Sequence, residues 1–141
     1  MKTGFSTQQR RVLTLCVIMY TAAYVCRLNL SAALSSVMQS LHLTMAQGGM
    51  LQTLFAAIYA TGQFVNGSIV DRVNPAKYML LGLSGSVVCN MTMGLCSAYP
   101  ALLAVWSLNA VFQSMLWTPS VRLLALGFQE QKLRERANMC V

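Results

Sequence analysis

Two long stretches of the chain carry no charged residue, and this limits its possible folds more than any other feature. They cover residues 28–70 and 78–121, and each is more than forty residues long. One helix needs about 20 apolar residues to cross the hydrocarbon of a bilayer, so each stretch could cross twice. Short polar breaks lie near their centres, at 39–42 and 97–100. The pattern predicts two helical hairpins.

The composition disfavours the common classes of water-soluble protein. Charged residues make up 9% of the 141 residues and hydrophobic residues 56%, whereas a soluble domain carries about 25% charged residues. This balance favours an all-α, polytopic membrane protein over a soluble enzyme, a nucleic-acid-binding protein or a secreted disulfide-linked domain. The lipid bilayer is then its surrounding medium. The predicted transmembrane segments are 12–39, 46–70, 77–97 and 100–128.

The basic residues predict how these segments are oriented. The loops on one side contain no Lys or Arg, only His42. The other side carries Lys2, Arg10, Arg11, Arg72, Lys77, Lys132, Arg134 and Arg136. The positive-inside rule therefore places the N-terminus and the loops 71–76 and 129–136 in the cytoplasm, with the plasma (inner) membrane as the expected location. Because orientation accounts for the basic excess, no nucleic-acid partner is predicted.

Cysteine and histidine usage gives no indication of a metal or a cofactor. The five cysteines form no CxxC pair, and the chain has one histidine and no acidic cluster within the predicted segments. Metal sites need several such ligands. Without paired acids, or a nucleophile beside a base, no catalytic residue and no enzyme are predicted. Gly82, Gly85, Cys89 and Cys96 instead form a stripe of small residues in the third segment, where helices can approach closely.

Arg27 is the most informative single residue. It lies about fifteen residues into the first segment, which at ~1.5 Å per residue is past the middle of the membrane. A charge at that depth costs at least ~2.5–3.5 kcal/mol and usually faces a watery cavity. No acidic residue lies in the membrane to neutralise it. The residue predicts a site for an anion, and the alternative is a structural bond to backbone carbonyls.

Polar side chains recur at helical spacing on three of the four segments. Residues three or four apart share one face of a helix, so three polar stripes could line a central cavity. The alternative is that these groups hydrogen-bond between helices as packing contacts. The stripes are Cys16, Tyr20, Tyr24, Arg27 and Ser31; Gln52, Tyr59, Gln63 and Asn66; and Asn109, Gln113, Trp117 and Ser120.

Two further charges lie toward the predicted cytoplasmic side. Arg122 is about seven residues from the end of the fourth segment, close enough to reach the surface, so a structural role is favoured. Asp71 follows the second segment, where the helix dipole disfavours a carboxylate. It needs a cationic partner, which Arg72, Lys77 or the 132–136 cluster could supply, and the alternative is a solvated turn.

Three motifs resemble one family of transporters. Gly67-x3-Asp71-Arg72 resembles the signature loop of the major facilitator superfamily, and its Asp-Arg-x-Asn-Pro form resembles the organophosphate:phosphate antiporter family, which includes glycerol-3-phosphate and hexose-phosphate transporters. The first and fourth segments agree with that family's pattern. Their motifs are Tyr20-x3-Tyr24-x2-Arg27-x-Asn29 and Phe112-Gln113-x3-Trp117-x-Pro119-x2-Arg122.

The resemblance implies a fold and a mechanism. The four segments and the start of a fifth, at 136–141, would be part of the N-terminal six-helix half of a transporter. Its two halves would rock around a midplane site and exchange an organic phosphate for inorganic phosphate. Arg27 would hold the phosphoryl group, and Tyr20, Tyr24 and Tyr59 would line the pocket. Asp71 and Arg72 would belong to a cytoplasmic gate network, with Gly67 and Lys77 in the same loop.

The resemblance also implies partners and alternatives. The chain would be a truncated piece that requires the C-terminal half of the transporter, and its ligand would be a small organic anion or phosphate ester. Gln63 stands where glycerol-phosphate carriers have a lysine, which removes one cation from the site. A sugar-phosphate sensor of the same family and a small four-helix membrane scaffold are the alternative functions.

Overall fold

The computed structural model describes the backbone of residues 7–139 and the side chains of residues 7 and 9–126. These residues form four α-helices and no strand, which confirms the predicted all-α fold. The helices are α1 (Thr7–Ser40), α2 (Met45–Ile69), α3 (Pro75–Met93) and α4 (Tyr99–Met139).

The turns between helices are short and are defined by local hydrogen bonds. Thr44 and Gln47 form a capping box at the start of α2, each side chain bonded to the other's backbone N–H. Asn74 caps α3 by accepting hydrogen bonds from the N–H groups of Ala76 and Lys77 at 3.0 and 3.2 Å. Pro75, whose missing N–H is not needed at this position, begins that helix.

The helices agree with the predicted segments in number and order, with a difference at the end of the chain. α4 continues through residues 129–136, which the sequence predicts as a loop. Gln, Glu, Lys, Arg and Leu dominate this stretch, and all are strong helix formers, so the helix extends beyond its apolar part. The predicted start of a fifth segment at 136–141 lies partly outside the described residues.

Two helices are long and apolar enough to cross a membrane by themselves within the described residues. They are Gln9–Ser40 of α1 and Tyr99–Leu126 of α4. Polar residues lower the hydropathy of α2, notably Gln52, Gln63 and Asn66. The outer surface is nevertheless apolar, with large exposed side chains such as Met45, Met91 and Leu95.

α4 is the helix around which the others pack, and it contacts α1, α2 and α3. One core cluster joins it to α1 and α2, and a smaller one joins it to α1 and α3. The first consists of Leu30, Leu51, Phe55, Leu102, Trp106 and Ala110, and the second of Ala23, Met79 and Leu116.

The stripe of small residues on α3 lies against α4. A Cβ atom at Gly82 would stand 2.8 Å from the backbone oxygen of Phe112 and 3.0 Å from Cβ of Met115. A Cβ at Gly85 would overlap the Phe112 ring. Both glycines are therefore required for the close approach of the two helices, and Cys89 is buried in the same stripe.

Several polar stripe residues make interhelical hydrogen bonds. Asn66 donates to Ser114 Oγ at 2.8 Å and accepts from the Tyr78 hydroxyl at 2.6 Å. Ser86 donates to Asn109 Oδ1 at 2.7 Å. These buried groups bond helix to helix, as the packing alternative for them requires.

Arg122 joins α4 to the end of α2. Its guanidinium donates to the backbone oxygen of Val70 at 2.9 Å and forms an ion pair with Asp71. Val70 is the C-cap of α2, where a cation is favoured by the helix dipole. The partner of Asp71 is thus Arg122 rather than Arg72 or Lys77. The side chains of the 132–136 cluster lie outside the described residues.

Arg122 should contribute more to stability than its acidic partner does. Asp71 is 73% exposed, so Asp71→Asn should lower the free energy of unfolding by no more than about 1 kcal/mol. Arg122→Gln also loses a charged bond to a carbonyl and should cost about 1.5–3 kcal/mol. Denaturant titration in detergent micelles measures both, with the exposed Arg72→Gln as control. Equal losses for Asp71→Asn and Arg122→Gln would contradict this ranking.

Gly82→Ala should destabilise the bundle, because the added methyl group meets the backbone of α4. We expect a loss of about 1–3 kcal/mol in the same titration. Gly49→Ala is the matched control, since a Cβ there meets nothing within 4 Å. Alanine is the better helix former, so this control should leave stability unchanged or raise it by up to about 1 kcal/mol. Similar losses in both variants would disprove the close approach.

Candidate functional site

A cavity lies between α1, α2 and α4 and is open on one side, where Tyr24, Phe64 and Trp117 are exposed. Its volume is about 640 Å³, within the range of ~300–1,000 Å³ typical of small-molecule sites. Three helices supply its walls, so the cavity depends on the packing of α1 and α2 against α4. Its lining residues are Tyr20, Tyr24, Arg27, Tyr59, Gln63, Phe64 and Trp117.

Arg27 is the one charged residue in this lining, and it is half-buried. Its Cζ lies 4.4 Å from the centroid of the Tyr59 ring and 5.5 Å from that of Phe55. Within the described residues it forms neither a hydrogen bond nor an ion pair. The nearby ring faces attract the cation without using its N–H groups. The guanidinium donors therefore remain free for a ligand.

Aromatic side chains form the wall beside Arg27. The rings of Tyr20 and Tyr24 are 5.1 Å apart between centroids, and Tyr20 and Trp117 are 5.6 Å apart. Tyr20 and Tyr24 belong to α1 and Trp117 belongs to α4, so the contact between Tyr20 and Trp117 joins the two helices at the cavity. Tyr and Trp combine an apolar face with a polar edge, so this wall can contact both carbon and hydroxyl groups of a ligand.

Gln63 adds a neutral amide to the same cavity. Its Oε1 accepts a hydrogen bond from Thr118 of α4 at 3.1 Å. Its Nε2 is buried and has no partner within the described part of the chain. An unpaired buried donor is unfavourable, so the amide is available to donate to a bound anion or hydroxyl group.

The structure brings together all but one of the predicted binding residues. The exception is Gln113, which lies away from the cavity. Its Nε2 donates to the backbone oxygen of Ala23 at 3.0 Å and to Ser86 Oγ at 2.8 Å. It therefore connects α4 to α1 and α3. Gln52 is also outside the cavity and donates to Ser31 of α1 at 3.2 Å.

Two aromatic residues at the site were missed by sequence reasoning. Phe64 lines the cavity, and Phe55 contacts Arg27 from behind the lining. A search for polar stripes passes over phenylalanine. The signal for Phe55 was its position four residues before Tyr59, which places both rings on one helix face.

The predicted gate residues lie around the turn between α2 and α3: Gly67 is near the end of α2, Asp71 and Arg72 are in the turn, and Lys77 is in the first turn of α3. Gly67, Asp71, Arg72 and Lys77 are all exposed. Of these, Asp71 is joined to α4 through Arg122, and the backbone N–H of Lys77 is bonded to the α3 cap. The ion pair connects this turn to α4, and the cap connects it to the start of α3.

Comparison with known proteins agrees with the fold and with the motifs. The family model of the Major Facilitator Superfamily matches residues 14–138. The membrane sensor protein UhpC of Salmonella typhimurium is 33% identical over 120 residues, which are 85% of this chain and 27% of that protein. A probable hexose phosphate transport protein of Chlamydia trachomatis is 28% identical over 80% of this chain and 25% of its own length.

A third relative is the phosphoglycerate transporter protein of Salmonella typhimurium, 27% identical over 80% of this chain and 24% of its own length. The chain spans about a quarter of the length of these curated relatives. No solved structure matches the chain significantly. The match to the family model covers most of the chain, so this protein belongs to the Major Facilitator Superfamily.

Proposed function

We propose that this chain carries the first part of the anion site of a secondary transporter that exchanges an organic phosphate ester for inorganic phosphate. The observation that carries this proposal is the unpaired Arg27 guanidinium in an aromatic cavity. Relatives named for hexose phosphate and phosphoglycerate support the choice of substrate class. The remainder of the site would come from the C-terminal half of the transporter.

Arg27 would bind the phosphoryl group through two parallel N–H···O bonds. The planar guanidinium matches phosphate and carboxylate geometry in this way. Its Cζ lies over the Tyr59 ring, a contact that uses none of its N–H donors, so these stay available. Tyr20, Tyr24 and Trp117 would contact the organic part of the ligand, and the unpaired amide of Gln63 would donate a further hydrogen bond.

Transport requires that this site open alternately to the two sides of the membrane. We place the N-terminus and the 71–76 loop in the cytoplasm of a cell with the protein in its plasma membrane, because the basic residues gather on that side. The Asp71–Arg122 pair would then join two helices at the cytoplasmic end and act as part of a gate.

A sensor is the second candidate, and the similarity to UhpC favours it. A sensor would bind the same ligand at the same cavity but need not exchange it. Proteoliposomes loaded with inorganic phosphate separate the two functions. Binding of hexose 6-phosphate together with exchange of labelled phosphate supports the carrier, whereas binding without exchange supports the sensor.

Arg27→Lys should abolish most of the exchange by the full-length gene product. Lysine keeps the charge but loses the planar pair of donors and is more strongly hydrated. We expect the exchange rate to fall at least tenfold, in line with the loss of a charge-assisted hydrogen bond. Arg11→Lys, at an exposed position outside the cavity, should leave the rate unchanged. Undiminished exchange by Arg27→Lys would refute the assignment.

Gln63→Lys should strengthen phosphate binding by adding a second cation to the cavity. We expect the dissociation constant for inorganic phosphate to fall severalfold, because the added ammonium group attracts the anion. Gln63→Met is the neutral control of similar size and should not tighten binding. Tighter binding in both variants would show that charge is not the cause.

A further inference from the structure

A column of three aromatic rings connects the cavity to the core of the bundle. Trp106 of α4 stacks on Phe55 of α2, with 4.7 Å between centroids and 28° between planes. Phe55 in turn stacks with Tyr59, at 6.2 Å and 8°. Only Tyr59 of the three lines the cavity. Phe55 and Trp106 are buried, with 4% and 1% of their surface exposed.

Arg27 lies against this column. Its Cζ is within 5.5 Å of both the Phe55 and the Tyr59 ring centroids, which is within the range of an attractive cation–π contact. The rings follow each other on one face of α2, so the guanidinium contacts two of them at once. The Phe55 ring is buried and stacked on Trp106, so packing restricts its movement.

Whether the neighbour of the Arg27 guanidinium is a carboxylate or an aromatic ring determines whether its N–H donors stay free. A carboxylate would stabilise the buried charge, but it would occupy the N–H donors and compete with an incoming anion. An aromatic face also stabilises the charge, through its quadrupole, and leaves the donors free. The column therefore holds the cation in place while keeping it ready for a ligand.

Trp106 supports the same conclusion. Its indole Nε1 is buried and has no hydrogen-bond partner among the described residues. A buried tryptophan N–H usually finds a partner, and an aliphatic side chain would fill the core without this loss. The large ring stacks on Phe55 despite this cost, which agrees with a role for the column beyond filling space.

We propose that Phe55, backed by Trp106, is a positioning residue that orients and stabilises the Arg27 guanidinium for the anion. This inference rests on the proposed function of Arg27 as the anion-binding residue. Phe55 does not line the cavity, so it acts on the ligand through the arginine. Its effect comes from the negative face of its ring, not only from its volume.

Fluorinated phenylalanines at position 55 test this role without emptying the core. One, two or three fluorine atoms weaken the ring quadrupole stepwise at nearly constant shape. We expect the dissociation constant of hexose 6-phosphate, measured on the full-length gene product in nanodiscs, to rise in steps to roughly threefold to tenfold in total. The same analogues at Phe112, which packs against α3, should change nothing. A constant affinity across the Phe55 series would overturn the proposal.

A second measurement needs no ligand. The Nε–Hε proton of Arg27 should show an upfield ring-current shift in NMR spectra of arginine-labelled protein, assigned with Arg27→Lys. Phe55→Leu should move this resonance toward its ordinary position. An unchanged resonance in Phe55→Leu would overturn the proposal, because the shift would then come from Tyr59 alone. If the unsubstituted protein does not bind hexose 6-phosphate, the proposed function fails. If it binds and the fluorine series is flat, the role of Phe55 alone fails.

Discussion

A positive charge inside an apolar bundle must be stabilised by the side chains around it. Arg27 lies deep in α1 with no acidic partner among the described residues, and aromatic rings of α2 lie over it instead. A carboxylate would stabilise the cation more strongly but would close the site to other anions. The aromatic contact stabilises the charge and leaves its N–H donors free to bind a ligand.

This arrangement requires a rigid support, and α4 provides it. Its Trp106 backs the rings of α2, its Trp117 contacts Tyr20 of α1, and its Arg122 holds the end of α2. α3 in turn packs closely on α4 through Gly82 and Gly85. The cavity is therefore formed by α1, α2 and α4, while α3 stabilises the helix that connects them.

Much of the fold and of the cavity lining could be predicted from the charge pattern and the residue spacing. Charge-free stretches gave the helices, and the stripes through Tyr24, Tyr59 and Trp117 gave most of the cavity lining. Gln113 shares a helix face with Trp117 but did not follow, because its amide is already bonded to Ala23 of α1 and Ser86 of α3. The Asp71–Arg122 pair was missed for a similar reason: the two residues are 51 positions apart, and nearer cations were available. Phe55 was missed because a search for polar side chains passes over an apolar residue, even one that shares a helix face with Tyr59.

The distance between the phosphorus of a bound ligand and the Arg27 guanidinium tests whether this residue binds the anion. Magic-angle-spinning NMR can measure the dipolar coupling between the phosphorus of bound hexose 6-phosphate and the labelled guanidinium nitrogens of Arg27 in lipid bilayers. A bidentate contact predicts phosphorus within about 4 Å of two of these nitrogens. Bound ligand without a coupling to Arg27 would contradict the account.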